Sequence, residues 1–314
     1  MISGIFAGIS WALESVVLGI ALAMSPFLSS EEAIFLAPLI ATFLHDATSA
    51  IFTFIYNAVR GDLPAFFKVF RSRSFKWIII ASAIGGPIGM TGYVLAVNYM
   101  GASIGAVASA IYPAIGTLLA SIFLKERVRW YQWIFLFFTL LGVYALSYSP
   151  TVNVESFLLG IMGALMCAYG WGIEAVILAK CLRDPEIKSE YALGIRQATS
   201  ALIYGAVILP IVGGWGFTAK LFSDGEIKLL LTVMAAALFA TVSYLFYYKA
   251  IGKIGASKAM ALNVTYTAWA ILFGAVLLND FSALNPLTVS AAAVIVICGI
   301  LSATDIKKLF FKKQ

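Results

Sequence analysis

The sequence predicts an all-α integral membrane protein of ten transmembrane helices, arranged as two inverted five-helix repeats. Of its 314 residues, 62% are hydrophobic and only 11% are charged, whereas soluble domains carry about 25% charged residues. Apolar stretches of about 20 residues, the length that crosses a hydrocarbon core, recur along the whole chain. In addition, several local motifs occur twice at a nearly constant separation.

The apolar stretches define ten predicted membrane helices. They span residues 2–24, 32–58, 77–99, 102–124, 130–149, 157–179, 189–211, 226–250, 256–279 and 285–304. The longest connection, at about residues 59–76, is too short for a separate soluble domain. We therefore expect one membrane domain, with residues 1–150 as the first repeat and residues 151–314 as the second.

The distribution of lysine and arginine predicts the orientation. With a cytoplasmic N-terminus, the basic residues of the connections and the C-terminal tail all lie on the cytoplasmic side except Lys220 and Lys228, while Arg196 lies within a helix. This asymmetry follows the positive-inside rule. We expect both termini in the cytoplasm, and the net charge of +6 requires no nucleic-acid partner.

The repeated motifs match the two halves helix by helix. Residues 11–16 (WALESV) are matched by residues 171–176 (WGIEAV), and residues 45–50 (HDATSA) by residues 196–201 (RQATSA). Four tyrosines form two further matching pairs: Tyr93 with Tyr247, and Tyr112 with Tyr266. Because each half has five spans, the second half enters the membrane from the opposite side, an arrangement that transporters use for alternating access.

Ionisable residues inside the spans are the first candidates for function, because each costs at least ~2.5 kcal/mol at a helix centre. They are Glu14, His45, Asp46, Glu174 and Arg196. One interpretation is that Arg196 pairs with an acid such as Asp46 and only locks helices together. A binding role is favoured for Glu14 and Glu174, since each follows a tryptophan by three residues and shares its helix face.

Aromatic residues indicate the class of ligand. Aromatic faces around a carboxylate suit an organic cation, because each ring attracts it by ~0.5–2 kcal/mol. For any single ring, packing or a lipid-facing position is the alternative. A substrate hydroxyl could bind to Ser109, to Asn263 or to a tyrosine. The predicted substrate-binding residues are Trp11, Glu14, Tyr93, Tyr112, Trp171, Glu174, Tyr247, Asn263, Tyr266 and Trp269.

The expected driving force is an ion gradient, because the sequence has no Gly-x-x-x-x-Gly-Lys-Ser/Thr motif for ATP. His45, Asp46 and Glu174 are the predicted proton-coupling residues. The cysteines are an odd number and show no close pair, so neither a disulfide nor a metal site is predicted. No cofactor and no catalytic residue is expected.

Two segments are expected to loosen or kink their helices: residues 85–89 (GGPIG) in the third span and Tyr112-Pro113 in the fourth. Close packing by small residues is the alternative explanation for the glycines.

The motifs support a family resemblance. They are Trp11, His45-Asp46 and residues 86–90 (GPIGM), 109–115 (SAIYPAI), 171–174 (WGIE), 195–200 (IRQATS) and 263–269 (NVTYTAW). With its two repeats and the basic turn at residues 125–127 (KER), the whole chain resembles the ten-helix, EamA-like drug/metabolite transporter superfamily. More narrowly, it resembles the bacterial choline permeases that supply choline for phosphocholine decoration of surface polymers.

The resemblance implies choline import across a bacterial plasma membrane. It also implies a cation-binding role for six matched positions: Trp11, Tyr112, Trp171, Glu174, Tyr266 and Trp269. The role of Glu14 comes from the repeat alone. We expect a secondary transporter for choline or a related quaternary ammonium cation, driven by protons or by the membrane potential, and acting as a monomer or homodimer in the lipid bilayer.

Two alternatives remain at this point. One is an exporter of amino acids or lipophilic cations on the same fold. The other is a membrane-embedded enzyme with Glu174 and His45 as acid and base, although the sequence offers no metal-ligand cluster or nucleophile motif for it.

Overall fold

A computed structural model describes residues 1–147 and 157–305, without the side chains of Asn98, residues 101–109 and Phe157. Over this part of the chain the regular elements are helices, and no β-strand occurs. The ten membrane helices are α1 (Ile2–Leu22), α2 (Glu31–Val59), α3 (Arg73–Ala83, Ile84–Ile88 and Gly89–Ser109), α4 (Tyr112–Phe123), α5 (Trp130–Ser147), α6 (Phe157–Cys181), α7 (Ser189–Ile203, Tyr204–Ile208 and Leu209–Ile211), α8 (Ile227–Ile254), α9 (Ala256–Asn263 and Tyr266–Leu277) and α10 (Pro286–Ala303). Short helices at Ser25–Leu28, Leu63–Lys68, Val69–Arg71 and Gly214–Ser223 lie in the connections.

The helix lengths agree with a protein that crosses the membrane many times. In the described part of the chain, nine helical spans are long and apolar enough to cross a membrane, and α4 is apolar but shorter. Tyr93 of α3 and Tyr112 of α4 both contact the Trp171 ring, with centroid distances of 6.0 and 5.4 Å. A straight helix would separate positions 93 and 112 by about 28 Å, so the chain folds back between them. The prediction of an all-α, ten-helix membrane fold is confirmed.

The boundary between the third and fourth spans differs from the prediction. The predicted spans place a connection at residues 100–101, but the helix Gly89–Ser109 continues through it, and the next interruption is at Ala110-Ile111. A glycine such as Gly101 costs only about 1 kcal/mol within a helix and does not end it by itself. The matching Gly255 does end α8, since it adopts a φ of +90°.

The predicted weak points in the helices are confirmed. Residues Ile84–Ile88 of α3 form a π-helical turn around Pro87, because proline lacks the N–H that would continue the α-helical pattern. The interruption before α4 ends at Tyr112-Pro113. In α9, the interruption between Asn263 and Tyr266 places a second tyrosine at the start of a helical segment, at the position that matches Tyr112.

Helices at matching positions of the two sequence repeats make matching contacts. Helix α3 packs against α6, and the matching contact joins α8 to α1. Helix α4 packs against α6, and the matching contact joins α9 to α1. Matching helices also contact each other directly, as α2 with α7, α4 with α9, and α5 with α10. Helices α1 and α6 therefore pack mainly against helices of the opposite repeat.

Glycines let α3 and α6 approach closely. A Cβ atom on Gly163 of α6 would lie 2.6 Å from the carbonyl oxygen of Gly92 and 2.7 Å from the amide nitrogen of Ala96. Both obstacles are backbone atoms of α3, so a side chain at position 163 requires the two helices to separate. Packing by small residues thus occurs at Gly92 and Gly163, in addition to the π-turn at Ile84–Ile88.

Gly163→Ala is expected to lower the thermal unfolding temperature of the detergent-solubilised protein, because overpacking of this kind costs about 1–3 kcal/mol. Gly274→Ala in α9 is the matched control, since nothing lies within 4 Å of the added Cβ. An equal unfolding temperature for the two variants would contradict the close contact of α3 with α6.

Candidate functional site

The five ionisable side chains of the membrane spans form one connected, buried network. His45 Nδ1 lies 2.9 Å from Asp46 Oδ1, and its Nε2 lies 3.5 Å from Glu14 Oε1. Arg196 bridges two carboxylates, with Nη1 3.2 Å from Asp46 Oδ2 and Nε 3.0 Å from Glu174 Oε1. All five residues are buried, so the network joins α1, α2, α6 and α7 in the middle of the bundle.

The network contains more acidic groups than basic groups. Three carboxylates face one guanidinium and one imidazole. Arg196 contacts Asp46 and Glu174, which agrees with the helix-locking interpretation for those residues. Glu14 differs, because its neighbours are the His45 imidazole and the Ser15 hydroxyl, which donates a 3.1 Å hydrogen bond to it. Glu14 is therefore the acid of the network that is not paired with the guanidinium.

A chain of hydrogen bonds extends the network across α2, α7 and α8. Arg196 Nη1 donates to Gln197 Oε1 at 2.7 Å, and Gln197 Nε2 donates to Ser49 Oγ at 3.0 Å. The Ser49 hydroxyl lies 2.7 Å from the Thr241 hydroxyl. Because most of these polar atoms have partners within the bundle, the polar groups contribute to a single arrangement of helices.

The π-turn of α3 makes room for two of the predicted site residues. A Cβ on Gly85 would collide with the Glu174 carboxylate, and one on Gly89 would lie 3.0 Å from Trp171 Cδ1. Neither glycine has a positive φ. These positions therefore require glycine because a side chain would not fit, and not because of the backbone conformation. At the segment GGPIG, the side chains of Glu174 and Trp171 thus pack directly against the α3 backbone.

Two cavities adjoin the network, and we call them the large and the small cavity. The large cavity, of about 250 Å³, extends toward Leu18 and Leu22 at the C-terminal end of α1. The small cavity, of about 40 Å³, extends toward Leu178 of α6. The large cavity is lined by the rings of Trp11, Tyr93, Trp171, Tyr244 and Tyr266 and by the charged residues Glu14, His45, Asp46 and Arg196. The small cavity is lined by Trp11, Tyr112, Trp171, Glu174, Tyr244, Tyr247, Asn263 and Tyr266.

Four aromatic rings line both cavities and form the partition between them: Trp11, Trp171, Tyr244 and Tyr266. Trp171 of α6 meets Tyr112 of α4 edge-on at 5.4 Å, and Trp11 of α1 meets Tyr266 of α9 edge-on at 6.3 Å. The two contacts are equivalent, because Trp11 matches Trp171 and Tyr266 matches Tyr112 in the sequence repeat. Each tryptophan of the repeat thus contacts the tyrosine that begins a helical segment in the opposite half.

Nine of the ten predicted substrate-binding residues line one of these two cavities. Trp269 lines neither, and its buried indole Nε1 has no hydrogen-bond partner among the described residues. Asn263 Nδ2 donates a 3.1 Å hydrogen bond to the Tyr112 hydroxyl, while its buried Oδ1 has no partner within residues 1–147 and 157–305. The side of the small cavity away from the network therefore offers a free acceptor.

Sequence reasoning missed two tyrosines of α8. Tyr244 lines both cavities, packs edge-on against Trp11 at 4.9 Å and lies under the Arg196 guanidinium at 4.9 Å. The Tyr248 hydroxyl donates to Glu174 Oε1 at 3.2 Å. Their spacing of four residues places them on one helix face, which is the signal that was available. The repeat selected Tyr247 instead, because only that residue has a matching tyrosine in the first half.

The fold and the site together define a membrane transporter: a helical bundle whose buried centre offers aromatic and charged groups to a small molecule. The chain belongs to the EamA-like transporter family, which matches residues 1–148 and 158–304. It is therefore a multi-pass membrane transporter rather than an enzyme, and the predicted family is confirmed.

Two further comparisons agree with this assignment. Protein LicB of Haemophilus influenzae is 26% identical over 235 residues, which cover 75% of this chain and 75% of LicB. A protein crystal structure with 18% sequence identity superposes with a TM-score of 0.69 over 99% of this chain and 98% of its own. At that identity the superposition supports the fold alone.

Arg196→Gln is expected to destabilise the protein by about 3–5 kcal/mol, because it leaves Asp46 and Glu174 buried without their cation. Adding Glu174→Gln should restore part of the lost stability, since it removes one of the unpaired acids. Thermal unfolding in detergent measures both effects. Arg60→Gln, which breaks an exposed pair with Asp62, is the control and should change the unfolding temperature little. A double variant no more stable than Arg196→Gln would argue against the bridge.

Proposed function

We propose that the protein imports choline, or a closely related quaternary ammonium cation, across the bacterial plasma membrane by alternating access. The observation that carries this proposal is the large cavity, which is lined by five aromatic rings together with Glu14. Glu14 has a nearby imidazole but no guanidinium, so its charge is available to a cation. The resemblance to bacterial choline permeases implies the same substrate, through motifs that include three of these rings: Trp11, Trp171 and Tyr266.

The chemistry of a trimethylammonium group fits this cavity. The group has no N–H to donate, so protein acceptors cannot replace its hydration shell through hydrogen bonds. Aromatic faces and a carboxylate can offset the loss of water, with cation–π contacts worth ~0.5–2 kcal/mol each. Since Trp11, Trp171 and Tyr266 also form the partition, a cation bound against them lies at the boundary of the two cavities.

The hydroxyl end of choline has a separate candidate site. The free Asn263 Oδ1 lines the small cavity beside the Tyr112 hydroxyl. A buried acceptor without a partner costs free energy that a substrate hydroxyl recovers when it donates to this atom. We therefore assign recognition of the cation to the partition rings and Glu14, and recognition of the hydroxyl to Asn263 once the partition rings have separated.

Alternating access follows from the proposed inverted repeats and orientation. With the N-terminus in the cytoplasm, as the positive-inside rule predicts, the large cavity lies toward the outer face and the small cavity toward the cytoplasm. At about 40 Å³, the small cavity has room for only a few water molecules. Inward passage of the cation therefore requires the partition rings to separate, and matching contacts in the two halves provide equivalent rearrangements for both directions.

The proposed driving force is the proton gradient or the membrane potential, which acts on the substrate charge with about 2.3 kcal/mol per 100 mV. His45 lies between Glu14 and Asp46, so a proton on its imidazole changes the charge next to the cation site. Asp46 and Glu174 are joined to the same network through Arg196. These three residues are the proposed proton-coupling groups.

Trp171→Ala and Glu14→Gln are each expected to weaken radiolabelled choline uptake into proteoliposomes about tenfold, through loss of a ring face or of the negative charge. Trp77→Ala is the matched control, because that indole is 54% exposed and lines neither the large nor the small cavity. Equal uptake by the native protein and all three variants would remove choline binding from this cavity. Efflux against an imposed potential, without uptake, would favour an exporter.

His45→Gln separates the two driving forces. If the imidazole carries the coupled proton, the variant should lose the acceleration of choline uptake by an imposed inward proton gradient, while an inside-negative potential at equal pH still drives uptake. The experiment compares initial uptake rates under each gradient alone. Should proton-driven uptake persist in His45→Gln, Asp46→Asn and Glu174→Gln alike, the coupling lies elsewhere.

A further inference from the structure

A third cavity lies at one end of the bundle, apart from the network and the partition, and we call it the end cavity. It has a volume of about 550 Å³ and lies among the C-terminal ends of α6, α8 and α10 and the start of α9. Four cationic side chains line it: Arg127, Arg129, Arg183 and Lys258. None of these residues takes part in the proposed binding of choline.

The two acids that border the end cavity are already engaged. Glu126 accepts hydrogen bonds from the backbone amides of Ala256 at 2.8 Å and Ser257 at 3.1 Å, at the start of α9. Asp305 accepts from Arg129 at 3.1 Å. Throughout residues 1–147 and 157–305, the other three cations form no ion pair: Arg127, Arg183 and Lys258. The cavity thus has an excess of positive charge.

Two hydroxyl groups of the cavity wall also lack partners. Ser257 is 6% exposed and Thr117 is 2% exposed, and both line the end cavity. Neither hydroxyl oxygen has a hydrogen-bond partner in the described part of the chain. A buried hydroxyl without a partner costs free energy, and a ligand oxygen in the cavity would remove this cost. The positive-inside rule explains cations at this end, but it does not explain the unpartnered hydroxyls.

We propose that the end cavity binds a phosphate group. A phosphate monoester carries nearly two negative charges and three acceptor oxygens at neutral pH, which match three unpaired cations and two free hydroxyl donors. A monocarboxylate offers one charge and two oxygens and leaves donors unused. Arg127 and Arg183 can each form paired hydrogen bonds with phosphate oxygens. The residues come from both halves, so the bound phosphate joins the two halves at this end.

The test uses the purified full-length protein in a neutral detergent. Inorganic phosphate and glycerol phosphate are titrated by calorimetry, with acetate at equal ionic strength as the comparison. Phosphate should bind, and Lys258→Gln and Ser257→Ala should each weaken the binding by several fold to about tenfold. Lys253→Gln is the matched control, because it removes the same charge at the same end from a residue outside the cavity.

Equal weakening by Lys253→Gln, or equal binding of acetate, would overturn the proposal in favour of general electrostatic attraction. A second arm places the protein in nanodiscs of phosphatidylcholine with or without phosphatidic acid. Stabilisation by phosphatidic acid that disappears in Lys258→Gln, without binding of soluble phosphate, would identify a lipid headgroup as the source of the phosphate. The absence of both effects would show that the cavity is not a phosphate site. Choline uptake is not the readout, so failure here is distinct from failure of the proposed substrate.

Discussion

The centre of this transporter is organised by the buried guanidinium of Arg196, which bridges Asp46 of α2 and Glu174 of α6. A charge in that position is tolerated because two carboxylates, Gln197 and the Tyr244 ring surround it. Arg196 and the Tyr248 hydroxyl both donate hydrogen bonds to Glu174 Oε1. Among the three acids of the network, Glu14 is the one that the guanidinium does not contact. Consequently the same interaction that joins α2, α6 and α7 also sets the net charge next to the aromatic partition.

The aromatic partition depends on this arrangement and on the glycines of α3. Trp171 packs against Gly89, and the Glu174 carboxylate packs against Gly85. The missing side chains at these two glycines, in and next to the π-turn, therefore determine how closely both residues approach α3. The partition rings belong to α1, α6, α8 and α9. A movement of one half against the other therefore changes the contacts of Trp11 and Trp171 together, which is what alternating exposure of a central site requires.

Much of the fold was readable from the sequence, because the bilayer restricts the chain to long apolar helices and the repeat gives each helix a matching partner. The boundary between α3 and α4 was not, since Gly101 and Gly255 each begin the sequence Gly-Ala-Ser, but Gly101 lies within a helix while Gly255 adopts a positive φ. For the candidate site, duplicated motifs predicted Trp11, Glu14, Trp171 and Glu174, which all line one or both cavities. Tyr244 was missed because it has no matching tyrosine in the first repeat, and its importance comes from tertiary contacts with Arg196 and Trp11.

The central claim is that aromatic rings and a carboxylate recognise the substrate by its positive charge, and that the shape of the substrate contributes less to its affinity. The most direct measurement compares, by calorimetry on the purified protein, the binding of choline with that of 3,3-dimethylbutanol, a neutral molecule of nearly the same shape in which carbon replaces nitrogen. The account predicts that choline binds at least about tenfold more tightly, as loss of the cation–π and carboxylate terms implies. Equal affinity for the two molecules would contradict it.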